Sequence, residues 1–257
     1  MVISRIRACS GRTADERREF FDAIAAGYTD QHGDPQTLLE YRLRLLREML
    51  PALEGKTIME VGSGPADHLL ALISDSSVRG IAVDFSPAMI DVVRRRAATR
   101  QAADAFSIEG VVDNAETLSC FPDSSIDHAF SVGALEHIPG KHDVFKSVAR
   151  VLRPGGVFVC LTMNGKYLWH TVFGRIPGVR TRHISSDTFL SAACVRRLSR
   201  SSGLHVERFG YWSFIPAGDM TEPFAGLFRS FDTIGRTLLP SWLRGGLLFS
   251  LRKPYAA

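Results

Sequence analysis

The chain has 257 residues, of which 45% are hydrophobic and 23% charged, and its formal net charge is +4. This length and composition indicate a globular protein with one sizeable core and exclude a disordered chain. The excess of basic residues is small, and many soluble enzymes are equally basic, so it does not by itself indicate nucleic-acid binding.

The four cysteines are far apart in the chain and form no C-x-x-C pair; they are Cys9, Cys120, Cys160 and Cys194. This spacing argues against a zinc ribbon or a disulfide framework and is typical of reduced thiols in a cytoplasm. The N-terminal residues contain no apolar stretch like that of a signal peptide, and no segment approaches the run of about 18 apolar residues that spans a membrane. We therefore expect a cytoplasmic protein with no bound metal.

The N-terminal region is predicted to contain two helices. Residues 1–17 are polar and are expected to be mobile, whereas the pattern from Glu19 to about Tyr28 is helical. A second, stronger helix begins at Pro35, repeats leucines at helical spacing and ends before Pro51.

Short β-like runs then alternate with helical stretches. The runs are TIMEV (57–61), RGIAVDF (79–85), FSIEGVV (106–112), IDHAFSV (126–132) and GGVFVCLT (155–162), separated by helices at 66–74, 87–100 and 141–152. HVERFGYW and LLFSLRKP could add two more strands, and Ser186 or Asp187 could cap a helix before them. The alternation predicts an α/β fold with a Rossmann-like, doubly wound, mostly parallel seven-stranded sheet. We expect one domain over 18–257, with its core at 55–162 and a C-terminal cap or lid region at 163–245.

The first of these strands ends in an abrupt glycine-rich turn, Gly62-Ser63-Gly64. No Lys-Ser/Thr pair follows, so the turn is not a P-loop. Asp67 stands where the dinucleotide fingerprint G-x-G-x-x-G has its third glycine, so that fingerprint is incomplete. Glu60 would repel a diphosphate but suits a cationic group. Asp84 lies 84 − 62 = 22 residues after Gly62, where a carboxylate can bind both hydroxyls of a ribose. An adenosine with a positively charged amino-acid tail, such as S-adenosylmethionine, meets these demands.

Five motifs in order resemble those of the class I S-adenosylmethionine-dependent methyltransferases, in particular the ubiquinone and menaquinone methylase branch. They are IMEVGSGPADH, IAVDFSPAMI, DNAETLSCFPDSSID, SVGALEHIP and LRPGGVFV, and FDAIAAGYTD is similar to the family's N-terminal helix. Ala66 stands where the family has a third glycine, and Asn114 where it often has an acidic residue. The resemblance covers roughly residues 20–162 and implies the following cofactor-binding residues: Tyr28, Glu60, Gly62, Ser63, Gly64, Asp84, Phe85, Met89, Asn114, Ala115 and Ser131.

The resemblance also places the methyl acceptor beside His137, which could be a general base or a hydrogen-bonding wall, since an imidazole titrates near neutrality. Tyr167, Trp169 and Trp212 could form an apolar wall or the core of a cap. Residues 224–246 mix aromatic residues, leucines and arginines, a pattern compatible with peripheral membrane contact, a homodimer face or a lid.

The implied function is methyl transfer from S-adenosylmethionine to a small-molecule or lipid-like acceptor at O, N or C, by in-line displacement, with S-adenosylhomocysteine as product. Two alternatives stay open. One is a non-catalytic adenosyl-binding protein that acts by interaction. The other is an RNA methyltransferase, which is less favoured because VGALEHIP stands where such enzymes often carry an Asn/Asp-Pro-Pro-Tyr/Phe motif, and no nucleic-acid partner is expected.

Overall fold

The structure, a computed structural model, describes residues 13–28, 35–73, 77–101, 107–167, 189–212, 238, 240 and 243–255. In these residues the α-helices are α1 (Ala14–Ile24), α2 (Pro35–Met49), α3 (Asp67–Leu72), α4 (Pro87–Gln101), α5 (Lys141–Val151) and α6 (Ala192–Ser201). The strands are β1 (Thr57–Val61), β2 (Arg79–Asp84), β3 (Ser107–Val112), β4 (Ile126–Val132), β5 (Leu152–Met163), β6 (His205–Trp212) and β7 (Gly246–Arg252).

The strands form one seven-stranded sheet in the order β3-β2-β1-β4-β5-β7-β6. The first five pair in parallel, and β7 runs antiparallel to both β5 and β6. This confirms the predicted Rossmann-like, mostly parallel sheet. The strand order reverses between β1 and β4, so a crevice for ligands lies outside the carboxyl ends of these two strands.

The inner strands of the sheet are buried on both faces, as their apolar runs predict, whereas the edge strands β3 and β6 are partly exposed. Neighbouring residues of β1 illustrate this, because Met59 packs in one hydrophobic cluster and Ile58 in the other, and both are fully buried. The first cluster is completed by α5 and α6, and the second by α2, α3 and α4. Side chains that alternate along a strand point to opposite faces, so a parallel strand between two helical layers is apolar throughout.

Two helices begin at other residues than the sequence pattern predicts. The segment expected to be mobile up to residue 17 already contains the first turn of α1, because Thr13 and Glu16 form a reciprocal capping box around Ala14. The later helix is capped by the Ser191 side chain, which accepts a hydrogen bond from the Cys194 N–H, rather than by Ser186 or Asp187.

The cap region predicted for 163–245 is described only in part. Asn164 forms a parallel bridge with Leu190, which attaches the start of this region to the segment before α6. Trp169 and most of residues 224–246 lie outside the described residues, so the lid, the membrane contact and the dimer face stay predictions. In the described part of the chain, the helices are all too short or too polar to cross a bilayer.

Candidate active site at the carboxyl ends of β1, β2 and β4

The glycine-rich turn follows β1 and presents bare backbone to the crevice. Gly62 and Gly64 both have positive φ, +68° and +50°, a conformation that costs glycine nothing. The N–H groups of Gly62 and Ser63 both donate to the Val83 carbonyl, at 2.8 and 2.9 Å, so the turn is fastened to the end of β2. A Cβ atom on Gly62 would overlap that of Ala134 in the loop after β4. The glycines therefore allow both the turn and the close approach of two loops.

Ala66 ends this turn in a left-handed conformation, with φ +59° and ψ +36°, and is fully buried. This backbone geometry explains why a glycine suits the position, because the left-handed conformation costs any other residue about 1–2 kcal/mol. The turn is nevertheless anchored, because Arg96 of α4 donates to the Pro65 carbonyl at 2.7 Å and pairs with Asp67 at 2.6 Å.

Asp84 lies at the carboxyl end of β2 with its carboxylate held by the backbone. Its Oδ2 accepts a hydrogen bond from the Gly64 N–H at 2.8 Å, and its Oδ1 accepts one from the Ser86 N–H at 2.9 Å. Burial raises the pKa of Asp84 to about 6, although both hydrogen bonds act in the opposite direction. A carboxylate has about four lone-pair sites, so two remain to accept the two hydroxyls of a ribose.

Glu60 is buried just beneath the turn and faces the start of α3. Its Oε2 accepts a hydrogen bond from the Leu69 N–H at 3.1 Å, and its Oε1 lies 3.4 Å from Nδ1 of His68. Burial raises the pKa of Glu60 well above its ordinary value and lowers that of His68 to about 3. His68 is therefore neutral, and its contact with Glu60 is a polar contact rather than an ion pair. A cationic ligand group would supply the positive charge that this buried carboxyl lacks.

The side of the crevice opposite the sheet is lined by aromatic residues from the N-terminal helix region and the loops. A Cβ atom on Gly64 would lie 3.8 Å from Cε1 of Tyr28, so the phenol ring covers the glycine turn. Burial raises the pKa of Tyr28 to about 12, and it stays protonated. Phe21 of α1 lies edge-on to Phe85 and to His137, with ring centroids 5.7 and 5.5 Å apart. Phe85 and His137 are thus brought together through Phe21, a residue that the sequence motifs did not indicate.

The residues expected beside an adenine lie on α4 and in the loop after β3. Met89 is buried, and Ala115 is nearly so. Asn114 is exposed, and its Oδ1 already accepts a hydrogen bond from the Glu116 N–H at 2.9 Å. Its neighbour Asp113 is buried and binds the Cys120 N–H at 2.8 Å, which shapes the loop.

Three further residues expected from the sequence, Ser131, Trp212 and Tyr167, are buried. Ser131 is fully buried within β4, and its hydroxyl has no hydrogen-bond partner among the described residues. Trp212, expected as a wall for the acceptor, packs in the core, and its Nε1–H donates to the Leu247 carbonyl at 3.0 Å. Tyr167 is also buried. In the ranges that the structure describes, no group of three or more His, Cys, Asp or Glu side chains could hold a metal ion.

Sequence reasoning missed two charged residues beside this crevice, the half-buried Arg42 of α2 and the buried Glu136 of the loop after β4. Glu136 is buried, and its Oε2 accepts a hydrogen bond from the Thr162 hydroxyl at 2.8 Å. Arg42 lies over the Trp212 ring, 5.6 Å from its centroid, and interacts electrostatically with Glu136 and Tyr28. One signal was available in the sequence: Arg42 precedes Leu45 and Leu46 by three and four residues, so it lies on the apolar face of α2.

Comparison with known proteins agrees with this geometry. Residues 59–160 match the family model described as a methyltransferase domain. The mitochondrial 2-methoxy-6-polyprenyl-1,4-benzoquinol methylase of Schizosaccharomyces pombe is 34% identical over 120 residues, which cover 43% of this chain and 38% of that protein. A demethylmenaquinone methyltransferase of Geobacillus is 34% identical over 110 residues, 42% of this chain and 45% of that protein. The chain thus spans less than half the length of these two relatives.

A solved structure resembles nearly the whole chain. It comes from a complex between the Haloferax volcanii Trm112 methyltransferase activator and a protein assigned as a methyltransferase. The TM-score is 0.65 at 28% identity, and the match covers 91% of this chain and 98% of that one.

The contact between Gly62 and Ala134 gives a prediction about stability. We expect Gly62→Ala to lower the free energy of unfolding by about 2–4 kcal/mol, because the new methyl group adds steric overlap to an unfavourable φ. Gly203→Ala is the matched control: its φ is also positive, +72°, but no atom lies within 4 Å of the new Cβ, so we expect only about 1 kcal/mol. Urea unfolding measures both, and Ala134→Gly should rescue part of the first loss. Equal losses in the two alanine variants would contradict the overlap.

The raised pKa of Asp84 gives a prediction about pH. The folded protein holds this proton more tightly than the unfolded chain, whose carboxyl titrates at its ordinary value of 3.8. The resulting stability is present below that value and is lost as pH rises through about 6, an effect of roughly 3 kcal/mol. Relative to Asp84→Asn, which cannot ionise, the wild type should therefore lose stability between about pH 4 and pH 6 and level off above that range. Parallel pH profiles of the two proteins in urea unfolding would rule out a raised pKa.

Proposed function

We propose that the chain is a class I S-adenosylmethionine-dependent methyltransferase similar to the quinone methylases, and that it transfers a methyl group from S-adenosylmethionine to a small, apolar or lipid-like acceptor. The observation that carries the proposal is the Asp84 carboxylate, fixed by the Gly64 and Ser86 N–H groups with two acceptor positions left. In this proposal Asp84 binds both ribose hydroxyls of the cofactor.

The other cofactor contacts follow from that anchor. The turn from Gly62 to Gly64 approaches the amino-acid tail, and Glu60 receives its ammonium group, which provides the positive charge missing beside that carboxyl. Phe85, Met89, Asn114 and Ala115 surround the adenine. Tyr28 closes over the turn. Ser131, fully buried within β4, supports the floor of the site rather than touching the cofactor.

The acceptor binds beside the paired rings of Phe21 and His137, facing the methyl group. The apolar rings of Phe21 and Phe85 favour an acceptor with an aromatic or prenyl group, and the similarity to benzoquinol and menaquinone methylases supports the same class. Tyr167 and Trp212 act behind this wall, as buried support. Residues of the cap beyond 167, including Trp169, would complete the acceptor side.

The reaction is an in-line displacement at the sulfonium methyl group. A lone pair or carbanion of the acceptor forms the new bond to the methyl carbon, and the C–S electron pair returns to sulfur, which gives neutral S-adenosylhomocysteine. A proton leaves the acceptor when its nucleophile is a hydroxyl or an acidic carbon, and His137 accepts it. Alignment of the two reactants lowers the activation free energy the most, by up to about 7–11 kcal/mol in ideal cases.

Calorimetry with S-adenosylmethionine and S-adenosylhomocysteine tests the cofactor site. We expect Asp84→Ala to weaken both ligands by about 100-fold, because two charge-assisted hydrogen bonds to the ribose are lost. Asp91→Ala is the matched control, since it removes an exposed carboxylate of α4, and it should bind as the wild type does. Asp84→Asn, which retains an acceptor oxygen, checks that the effect is not loss of fold. Equal affinity of wild type and Asp84→Ala would remove Asp84 from the site.

Turnover tests the role of His137. Short-chain prenyl benzoquinols and demethylated naphthoquinols are the acceptor probes, with release of S-adenosylhomocysteine as the signal. We expect His137→Ala to lower kcat by about 100-fold, as general-base catalysis allows, and to change the Kd for S-adenosylmethionine less than threefold. His142→Ala, an exposed histidine at the start of α5, is the control. A normal kcat in His137→Ala would make His137 a wall of the pocket, and no product from the wild type with any probe would favour the non-catalytic alternative.

A further inference from the structure

Glu136 is a buried carboxylate that the proposed reaction does not use. It belongs to the short 3₁₀ turn Leu135–His137 that follows β4, directly before His137. Its Oε2 accepts a hydrogen bond from the Thr162 hydroxyl of β5 at 2.8 Å, and Thr162 is its one hydrogen-bond partner in the part of the chain that the structure describes. An ionised carboxylate has about four lone-pair sites, so most of the capacity of Glu136 to accept hydrogen bonds is left.

The surroundings of Glu136 place its carboxylate on the crevice side of the sheet. A Cβ atom on Gly133 would lie 3.9 Å from Oε1 of Glu136, so this oxygen faces the loop after β4. Burial is the main reason why the pKa values of Tyr28 and of Cys160 on β5 are raised, and the charge of Glu136 raises both further. Tyr28 covers the glycine turn from the side opposite the sheet. The carboxylate therefore lies between the sheet and its cover, in the same crevice as His137.

The guanidinium of Arg42 compensates the charge of Glu136 only in part. Arg42 is half-buried and attracts Glu136 electrostatically, but it stacks on the Trp212 ring, 5.6 Å from the ring centroid. Among the described residues, the Thr162 hydroxyl alone donates to the carboxylate. A buried carboxylate with unused lone pairs destabilises the folded protein unless a ligand donates to it. The surroundings of Glu136 therefore suit a ligand that carries a hydrogen-bond donor.

The donor belongs to the acceptor rather than to the cofactor. In the proposed function the cofactor's ribose hydroxyls and ammonium group already have carboxylates of their own, Asp84 after β2 and Glu60 after β1. Glu136 instead follows β4 and is adjacent in the chain to His137, beside which the acceptor binds. The Phe21 ring in contact with His137 favours an apolar acceptor. A hydroxyl group on an otherwise apolar acceptor is the donor that fits this combination.

From this arrangement, and resting on the proposed function, we propose that Glu136 is a specificity-determining residue, which accepts a hydrogen bond from a hydroxyl group of the methyl acceptor. A hydroxylated ring such as a benzoquinol can donate to the carboxylate. The oxidised benzoquinone has carbonyl oxygens at the same positions, and their lone pairs would face those of the carboxylate. A site that hydrogen-bonds a hydroxyl group rejects an analogue without it, because the polar group of the protein is then left unpaired. Glu136 therefore favours the reduced form of the acceptor.

The test compares two ligands that differ in their hydroxyl groups, a short-chain prenyl benzoquinol and the corresponding prenyl benzoquinone. Anaerobic calorimetry measures their affinities, with S-adenosylhomocysteine bound so that no methyl group is transferred. We expect the wild type to prefer the quinol by about 10- to 100-fold, since hydrogen bonds to a charged acceptor are strong. Glu136→Gln should bind the two ligands within about threefold of each other, because an amide accepts from a hydroxyl and donates to a carbonyl. Thr162→Val should weaken only the quinol, by about 3- to 10-fold, because Thr162 orients the carboxylate.

Two controls separate a binding role from a structural one. Asp143→Asn removes an exposed carboxylate at the start of α5 and should keep the wild-type ratio of the two affinities. In the absence of ligands, Glu136→Gln should melt close to the wild-type temperature, because the amide has the shape of the carboxyl group and still accepts the hydrogen bond from Thr162. A Glu136→Gln variant that keeps the full preference for the quinol would overturn the proposal, whatever its melting temperature.

The outcomes also separate this proposal from the proposed function. If the wild type binds S-adenosylhomocysteine but binds the quinone as tightly as the quinol, or binds neither of them, the assignment of Glu136 fails and the cofactor site stands. If the wild type does not bind S-adenosylhomocysteine, the proposed function itself fails, and the assignment fails with it.

Discussion

The carboxylate of Asp84 is the constraint on which the rest of the site depends. Its two oxygens bind the N–H groups of Gly64, in the turn after β1, and of Ser86, in the turn after β2. Its backbone carbonyl accepts a hydrogen bond from the Asp113 N–H at 3.1 Å, at the end of β3. One residue therefore joins the carboxyl ends of three neighbouring strands. The loops that would hold a cofactor are fixed relative to one another before any ligand arrives, which lowers the entropic cost of binding.

The same interactions make the site electrostatically costly. Asp84 and Glu60 are both buried, and burial raises the pKa of each. Arg42 is half-buried and carries the opposite charge, and its buried Nε has no hydrogen-bond partner among the described residues. Burying charges without full partners destabilises a folded protein. Such an arrangement is expected where a zwitterionic ligand supplies the missing partners, and groups with strongly shifted pKa values cluster at functional sites for this reason.

Much of the fold could be predicted from the sequence because it depends on local patterns. The strands from β1 to β5 are apolar runs flanked by turn residues, and the structure gives them bounds close to the predicted ones. The early start of α1 could also have been read from Thr13 and Glu16, three residues apart, which are a recognisable capping signature. The first residue of α6 was harder to predict from the sequence, because several serines precede it and tertiary contacts decide which serine acts as the N-cap.

Residues of the candidate site could be proposed from the sequence only where they belong to motifs at a characteristic spacing. Glu60, the Gly62–Gly64 turn and Asp84 follow one another at fixed spacing, and the fold brings them together. Arg42, Phe21 and Glu136 come from three separate elements, and no spacing relates them. Trp212, which the sequence left as either an acceptor wall or part of a core, packs in the core, and its indole N–H donates to the Leu247 carbonyl. Aromatic residues serve a core and a ligand pocket equally well, so composition alone does not distinguish the two.

Helix α1, which covers the site on the side opposite the sheet, is held in place differently from the loops that follow the strands. The α1 helix has no fully buried side chain. It is held by Asp22, which accepts hydrogen bonds from the Ser86 hydroxyl and the Ala88 N–H at the start of α4, and by the ring contacts of Phe21. Ser86 thus binds Asp84 through its N–H and Asp22 through its hydroxyl. A few polar and aromatic contacts give a helix less stability than a buried apolar face does, and all of them except the Phe21–His137 contact are made to the segment just after Asp84. The turn that positions the Asp84 carboxylate therefore also holds α1 in place.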